Sequence, residues 1–163
     1  MNSTNMYVEF LLGDLESFII SQKNEIDSIV SNKEAVSLED TAVILEKFSK
    51  SLRKTENIID FVEEVDSIDT LRNISILASE TVAWILFTLP TVEKNLPYFA
   101  EDFTIYNKHI VDYLADTLLE FESFIEDPMK LKFVGVDIQK NIKNISMTIN
   151  HLSKVLKKGL LEN

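Results

Sequence analysis

Residues 68–89 read IDTLRNISILASETVAWILFTL, and this stretch decides the fold. Apolar side chains recur in it three or four residues apart, which is the spacing of one helix face. They are Leu71, Ile74, Ala78, Val82, Ile85 and Leu89. Ile76, Trp84 and Phe87 lie off that face, and a helix that is apolar nearly all round is buried on most sides. The stretch therefore predicts a central helix over 68–89, and we expect Pro90 to end it.

Amphipathic patterns on the N-terminal side of this stretch predict two more helices. The first covers about residues 5–31, with apolar residues at helical spacing. The second begins after Ser37, because Ser37–Asp40 reads as a capping box with Asp in the place usually taken by Glu. Asp66 or Ser67 is expected to cap the central helix.

Two further helices are predicted on the C-terminal side. The fourth covers about residues 99–126, with Phe103 and Tyr106 on its apolar face, and Asp127–Pro128 ends it. The fifth covers 137–159, with Asp137 as candidate N-cap and Gly159 as candidate C-terminal cap. Residues 129–136 fit either a short extended segment or an early helical turn.

The composition agrees with a helical protein. The chain has 163 residues with only 3 Gly and 3 Pro, whereas folds rich in β-turns need many of both. Its length is that of one domain. We therefore predict an all-α fold, in which residues 1–163 form a single-domain bundle of about five helices around the central apolar helix.

The charge is divided unequally along the chain. Residues 1–128 form an acidic body with 25 Asp and Glu against 9 Lys and Arg. Residues 129–163 carry 7 Lys against 2 acids, and most of these lysines lie in the predicted basic C-terminal helix, 137–159. Such a division concerns electrostatics and docking rather than catalysis.

Several classes of function lack the residues that they need. The chain has no cysteine, which excludes disulfides and thiolate metal sites, and it has neither a dinucleotide-binding nor a P-loop glycine motif. With only two histidines, His109 and His151, a nucleophilic triad has few candidate bases. We therefore expect no catalytic residues and no cofactor. We also expect no nucleic-acid partner, because the acidic body repels a phosphate backbone.

The sequence also bears on membranes. Its most apolar uninterrupted run is the eight residues from Val82 to Leu89, whereas a membrane-spanning helix needs about 20. The first basic residue is Lys23, which disfavours a secretory signal. We therefore expect no membrane span and a cytoplasmic protein.

An acidic stripe on the fourth helix is the one candidate for metal chemistry. His109, Asp112, Asp116 and Glu120 share one arc of that helix. The Asp-x3-Asp-x3-Glu spacing resembles one copy of the acidic motif of helical phosphate-uptake regulators, which carry it twice. The resemblance implies a metal- or phosphate-handling regulator. The alternative is an ordinary solvated face beside the core.

A second candidate is His151, which precedes Lys154 by about one helical turn. This pairing resembles histidine phosphotransfer domains, in which a lysine stabilises phosphohistidine. The residues after Lys154 depart from that pattern, since Val155 and Leu156 stand where those domains have Gly and a small residue. The alternative is an ordinary exposed histidine.

The basic side of the fifth helix is the best-supported candidate for partner docking. Its lysines stand opposite the apolar stripe Ile142, Ile145, Ile149 and Leu152; they are Lys140, Lys143, Lys154 and Lys158. Either they balance acidic neighbours of the same fold, or they dock an acidic partner or anionic lipid. We predict a non-enzymatic interaction or regulatory protein that binds another protein or itself, as in a homodimer.

Overall fold

Five helices form one all-α bundle, which confirms the predicted fold class. The computed structural model describes residues 2–31, 36–93, 104–105 and 108–162. Its helices are α1 (Ser3–Ser31), α2 (Leu38–Ile59), α3 (Ile68–Glu93), α4 (Ile110–Glu126) and α5 (Met129–Glu162). A 3₁₀ turn, Val62–Glu64, follows α2, and the two-residue strands β1 (Thr104–Ile105) and β2 (Lys108–His109) pair antiparallel before α4.

The antiparallel pairing of α2 with α5 is the most extensive contact between helices. At its centre the Ser49 hydroxyl donates to the carbonyl oxygen of Ser146 at 3.0 Å, and the Ser146 hydroxyl donates to that of Ser49 at 3.1 Å. Further along, Ser153 donates to the carbonyl oxygen of Ala42 at 2.6 Å. Short side chains that satisfy their hydroxyls across the interface let the two backbones approach closely.

Helix α3 packs against all four other helices and is the central element that its sequence predicts. Its main neighbour is α4, which runs antiparallel to it. Arg72 in the first turns of α3 donates from Nε to the carbonyl oxygen of Ile125 at the end of α4, at 3.2 Å. Trp84 is only partly buried; its ring meets that of Phe48 on α2 edge to face, with centroids 5.2 Å apart.

One edge of α3 nevertheless faces solvent. Its exposed residues include Asp69, Asn73, Glu80 and Phe87. By length and composition alone, Ile68–Val92 is long and apolar enough to cross a membrane, although its longest uninterrupted apolar run is only the eight residues from Val82 to Leu89. Half of its most apolar window is buried inside the bundle, and a core helix meets the same criterion.

Three predicted helix ends are confirmed by their hydrogen bonds. The Ser37 hydroxyl oxygen accepts from the backbone N–H of Asp40 at 3.0 Å, so Ser37 is the N-cap of α2. The Ser67 hydroxyl accepts from the N–H of Thr70 at 3.2 Å at the start of α3. Helix α4 ends before Asp127, the residue that precedes a proline.

The prediction that Pro90 ends the central helix is wrong. Helix α3 continues to Glu93 and contains Pro90 in its last turn. A proline within a helix removes one backbone hydrogen bond, here the one that residue 90 would donate to the carbonyl oxygen of Leu86. Val92, one residue short of the helix end, is fully buried, and burying its side chain offsets the loss.

The predicted start of the fourth helix is also wrong, since α4 begins at Ile110 rather than near residue 99. His109 has extended backbone angles (φ −63°, ψ 141°), and its Nδ1 accepts from the N–H of Val111 at 3.0 Å. It is therefore an N-cap rather than part of a helix face. Phe103 and Tyr106, which were assigned to that face, lie outside the described residues.

Helix α5 is longer than predicted, because residues 129–136 form its first turns. Asp137 and Gly159, the candidate caps, both lie inside the helix, so those two assignments are wrong. The helix starts directly after Pro128, whose carbonyl oxygen accepts from the N–H of Leu131 at 3.2 Å. Gly135 lies where α5 passes the 3₁₀ turn, and a Cβ there would meet Val62 Cγ2 at 2.9 Å.

Glycine substitutions should separate helix propensity from close packing. Gly13→Ala, at an open and exposed position of α1, should stabilise the protein by about 0.5–1 kcal/mol. Gly135→Ala gains the same propensity but presses on the buried, branched Val62, so we expect it to be about 1 kcal/mol or more worse than Gly13→Ala. Urea unfolding measures both. Equal stabilisation at the two positions would contradict the close approach of α5 to the 3₁₀ turn.

A second test concerns the serine contact. Ser146→Ala removes one hydrogen bond and should cost about 0.5–1.5 kcal/mol. Ser146→Val also forces α2 and α5 apart and should cost about 1–3 kcal/mol more. Asn144→Val, at an exposed position of the same helix, is the control and should change the free energy of unfolding by about 0.5 kcal/mol or less. Similar losses for valine at 144 and at 146 would show that the backbones are not close.

Candidate functional site

The acidic stripe on α4 is present, but only in part as predicted. Asp112 and Asp116 are exposed and Glu120 is partly buried, all on α4. His109 does not belong to the stripe, because its ring caps the helix through Nδ1. The three carboxylates follow one another at one-turn spacing, so their charges repel unless a cation lies nearby.

That cation is Lys108, from the strand that precedes α4. Its Nζ lies 2.5 Å from Asp116 Oδ2 and 4.9 Å from the centroid of the Tyr113 ring. The hydrogen bond to Asp116, with a smaller contribution from Asp112, raises the pKa of Lys108 and so favours its charged form. The β1–β2 hairpin therefore supplies part of the positive charge that the stripe needs.

Glu120 occupies a different environment from its two neighbours. Burial raises the pKa of Glu120, and the nearby charges of Asp116 and of Asp137 on α5 raise it further. One carboxylate from a second helix thus approaches the stripe. Within the described ranges, however, no three His, Asp or Glu side chains are grouped so that they could hold a metal ion. A hard cation such as Mg²⁺ needs about six oxygen ligands.

His151 is exposed on the outer side of α5, as its helical position predicts. It has no hydrogen bond or ion pair with any part of the chain that the structure describes. Lys154 follows on the same side and is also exposed. The arrangement holds a histidine next to a positive charge but supplies no acceptor or base that would orient the imidazole.

The basic side of α5 is arranged as the sequence predicts. The stripe of Ile142, Ile145, Ile149 and Leu152 is buried in the bundle. The four docking candidates are all exposed; they are Lys140, Lys143, Lys154 and Lys158. The prediction of which side of this helix faces solvent is confirmed.

Helix α2 adds positive charge beside these lysines. Burial raises the pKa of Glu56, and Lys143 of α5 and Arg53 of α2 both lie close enough to this carboxylate to oppose that rise. Lys50 of α2 and Lys157 of α5 both form ion pairs with Glu46. We call seven exposed cations of these two helices the basic face: Lys50, Arg53, Lys140, Lys143, Lys154, Lys157 and Lys158. The basic face does not include Lys130 on the other flank of α5.

Neutralisation within the fold accounts for part of the basic face. The hydrogen bond from Lys157 lowers the pKa of Glu46, and Lys50 lowers it further. Glu56 is neutralised less than Glu46. Burial raises the pKa of Glu56 more than the nearby charges of Lys143 and Arg53 lower it. Lys140 and Lys154 have no ion pair among the described residues. These two lysines hold charge that the described part of the fold does not use.

Large apolar side chains accompany the lysines on α5. Phe133 is 81% exposed and Met147 is 60% exposed, and both face the same side as Lys140. The outer strip of α5 is the name used below for the residues on this side: Met129, Phe133, Val136, Lys140, Lys143, Met147, His151, Lys154 and Lys158. A strip that mixes cations with exposed apolar groups is suited to docking, because apolar contacts supply affinity and charges supply orientation.

The share of α2 in the basic face was not predicted. Lys50, Arg53 and Lys54 recur at helical spacing, which was a visible signal of a basic side on the second helix. Lys54 turns away toward α1, where its Nζ lies 3.3 Å from Asp14 and 4.8 Å from the centroid of the Phe18 ring. Only the pairing of α2 with α5 brings the other two beside the lysines of α5.

The raised pKa of Glu120 predicts a pH-dependent effect of Glu120→Gln. A carboxyl with a raised pKa in the folded state costs stability wherever it must ionise, which is above its unfolded pKa of about 4.3. Glu120→Gln should therefore stabilise the protein at neutral pH, and the gain should vanish below about pH 4. Urea unfolding across pH measures this, with Glu122→Gln on the same helix as the control for net charge. A gain that is equal at pH 4 and pH 7 would contradict it.

Comparison with known proteins places the chain in a family. A family model described as "Uncharacterized protein" matches residues 7–163. A protein of Aquifex aeolicus (strain VF5) with the same description is 30% identical over 122 residues, which cover 73% of this chain and 75% of that protein. No solved structure matches. Because the family model covers nearly the whole chain, including the basic face, the chain belongs to this family.

Proposed function

We propose that this protein is a non-enzymatic interaction protein that binds an acidic partner protein through its basic face. The observation that carries the proposal is the pair Lys140 and Lys154, which are exposed and without ion pairs in a chain of net charge −11. An acidic protein has many carboxylates that could neutralise two lysines. Leaving them unpaired costs little in the monomer and provides charge for a partner.

The exposed apolar residues of the outer strip support the same function. Phe133 and Met147 keep large apolar surfaces in water, which costs about 25 cal/mol for each Å² that a partner could cover. Charged residues around such anchors mainly set orientation and association rate. The two features together fit a docking face better than a uniformly solvated one.

The other two functions that the sequence suggested have weaker support. A metal- or phosphate-handling role would use Asp112, Asp116 and Glu120, but Lys108 already binds Asp116 and no metal-holding group occurs among the described residues. A phosphotransfer role for His151 rests on its spacing to Lys154. The non-enzymatic proposal draws on the lack of nucleotide and triad motifs in the sequence.

The proposal is tested by affinity capture with matched charge reversals on α5. The test variant is Lys140→Glu, because Lys140 lies in the outer strip. The control variant is Lys130→Glu, because Lys130 is also exposed and without an ion pair among the described residues but lies on the other flank of the same helix. Both change the net charge equally. Proteins captured by wild type should be retained by Lys130→Glu and lost by Lys140→Glu and by the double variant Lys140→Glu/Lys154→Glu.

Salt provides the second measurement. Capture through the basic face should weaken between low and physiological ionic strength, because exposed charges are screened over about 8–10 Å. Circular dichroism checks that each variant is folded. Identical catches for wild type, Lys130→Glu and the double variant would reject the basic face as a docking site.

A further inference from the structure

We propose that the partner of the outer strip is a second copy of this chain, which receives the strip in the groove between α1 and α3. The inference rests on the proposed function and names the partner of the same face. It commits to one occupant because the chain itself carries a surface of matching chemistry. That surface is formed by α1 and α3, whereas the outer strip lies on the exposed side of α5.

The groove is an open cleft of about 320 Å³ between α1 and α3. Gly13 leaves one wall without a side chain, and a Cβ there would meet nothing within 4 Å. Among the described residues, no lysine or arginine lines the cleft. Its lining residues are Glu9, Leu12, Gly13, Glu16, Asn73, Ile76, Leu77 and Glu80.

Three carboxylates face this cleft. Glu9 is held in place, because its Oε1 accepts from the Thr70 hydroxyl at 2.9 Å and from the Asn73 amide at 3.2 Å. Glu16 and Glu80 are exposed and have no ion pair among the described residues. They are thus the acidic counterparts of Lys140 and Lys154, which are exposed and unpaired on α5.

Apolar residues accompany the carboxylates, as they accompany the lysines on α5. Met6, Phe10 and Ile20 are exposed on α1 at three or seven residues from Gly13, which itself lines the cleft. Phe10 is 71% exposed, and Phe87 on the outward edge of α3 is 75% exposed. The groove therefore offers apolar and negative groups where the strip offers apolar and positive ones, which is the complementarity that a specific interface needs.

The arrangement of the carboxylates favours a lysine-bearing helix over a metal ion. No three acidic or histidine side chains among the described residues are grouped to hold one cation. Separate carboxylates along a groove instead suit separate ammonium groups along a helix.

Strip and groove are different surfaces of one molecule, so the contact between copies is heterologous. Each copy offers one strip and one groove. Such contacts generate closed rings or open chains of subunits. Association should therefore grow with protein concentration and weaken with salt.

A charge-swap experiment on the full-length protein tests the inference. The strip variant is Lys140→Glu/Lys154→Glu, and the groove variant is Glu16→Lys/Glu80→Lys; all four residues are exposed, so both variants should fold. Sedimentation velocity at low salt should show self-association of wild type. Each variant alone should associate about tenfold or more weakly, because like charges then face each other.

Mixing the two variants should restore association, since the strip of each then meets a groove of opposite charge. Lys130→Glu should associate like wild type.

A monomeric wild type, unchanged association of either variant, or failure of the mixture to associate would each overturn the inference. Lys140-dependent binding to anionic lipid vesicles by a monomeric wild type would assign the strip to membranes. If wild type does not self-associate but still captures another protein, and Lys140→Glu abolishes that capture, this inference alone is overturned. The proposed function then stands.

Discussion

The close approach of α2 to α5 is the constraint on which the rest of the structure depends. Ser49 and Ser146 each donate to the other's carbonyl oxygen, so two helices pack tightly through residues that carry little apolar surface. The larger apolar residues of both helices then pack against the remaining helices. The isoleucine stripe of α5 enters the core, and α2 also packs against α1 and α3. The basic face exists because this pairing puts the outer cations of both helices side by side.

Much of the fold could be predicted from local patterns. The apolar stripe over 68–89 and the Ser37 cap depend on neighbouring residues alone, and both are confirmed. The wrong boundaries at Pro90 and at the start of α5 share one physical cause, which is that tertiary burial overrides a local breaker or extends a helix. Pro90 is tolerated because Val92 is buried beyond it, and helix α5 extends back to Met129 because Gly135 lets it pass Val62. Helical periodicity likewise could not reveal that His109 ends a strand and caps α4.

The candidate site was predictable to the extent that it lies on one helix. The exposure of Lys140 and Lys154 follows from a helical wheel. The contribution of Arg53 does not, because a wheel says nothing about which helices are neighbours. The same limit applies to the acidic stripe, since the partner of Asp116 is Lys108 in a hairpin that the periodicity had assigned to the helix. Ser146 and Ser153 are spaced seven residues apart, which is the pattern of short side chains typical of a close helix pair.

The segregation of charge also changes how the molecule behaves near any charged surface. A sequence pI of about 4.6 describes a uniformly acidic particle, whereas this fold gathers cations on the exposed sides of α2 and α5 and carboxylates in the groove between α1 and α3. The protein thus carries a permanent electric dipole moment, and it turns toward a charged surface before it touches it. Its retention on an ion-exchange resin then depends on which surface faces the resin as well as on the net charge of −11. Encounters begin already oriented, which shortens the search for the correct contact.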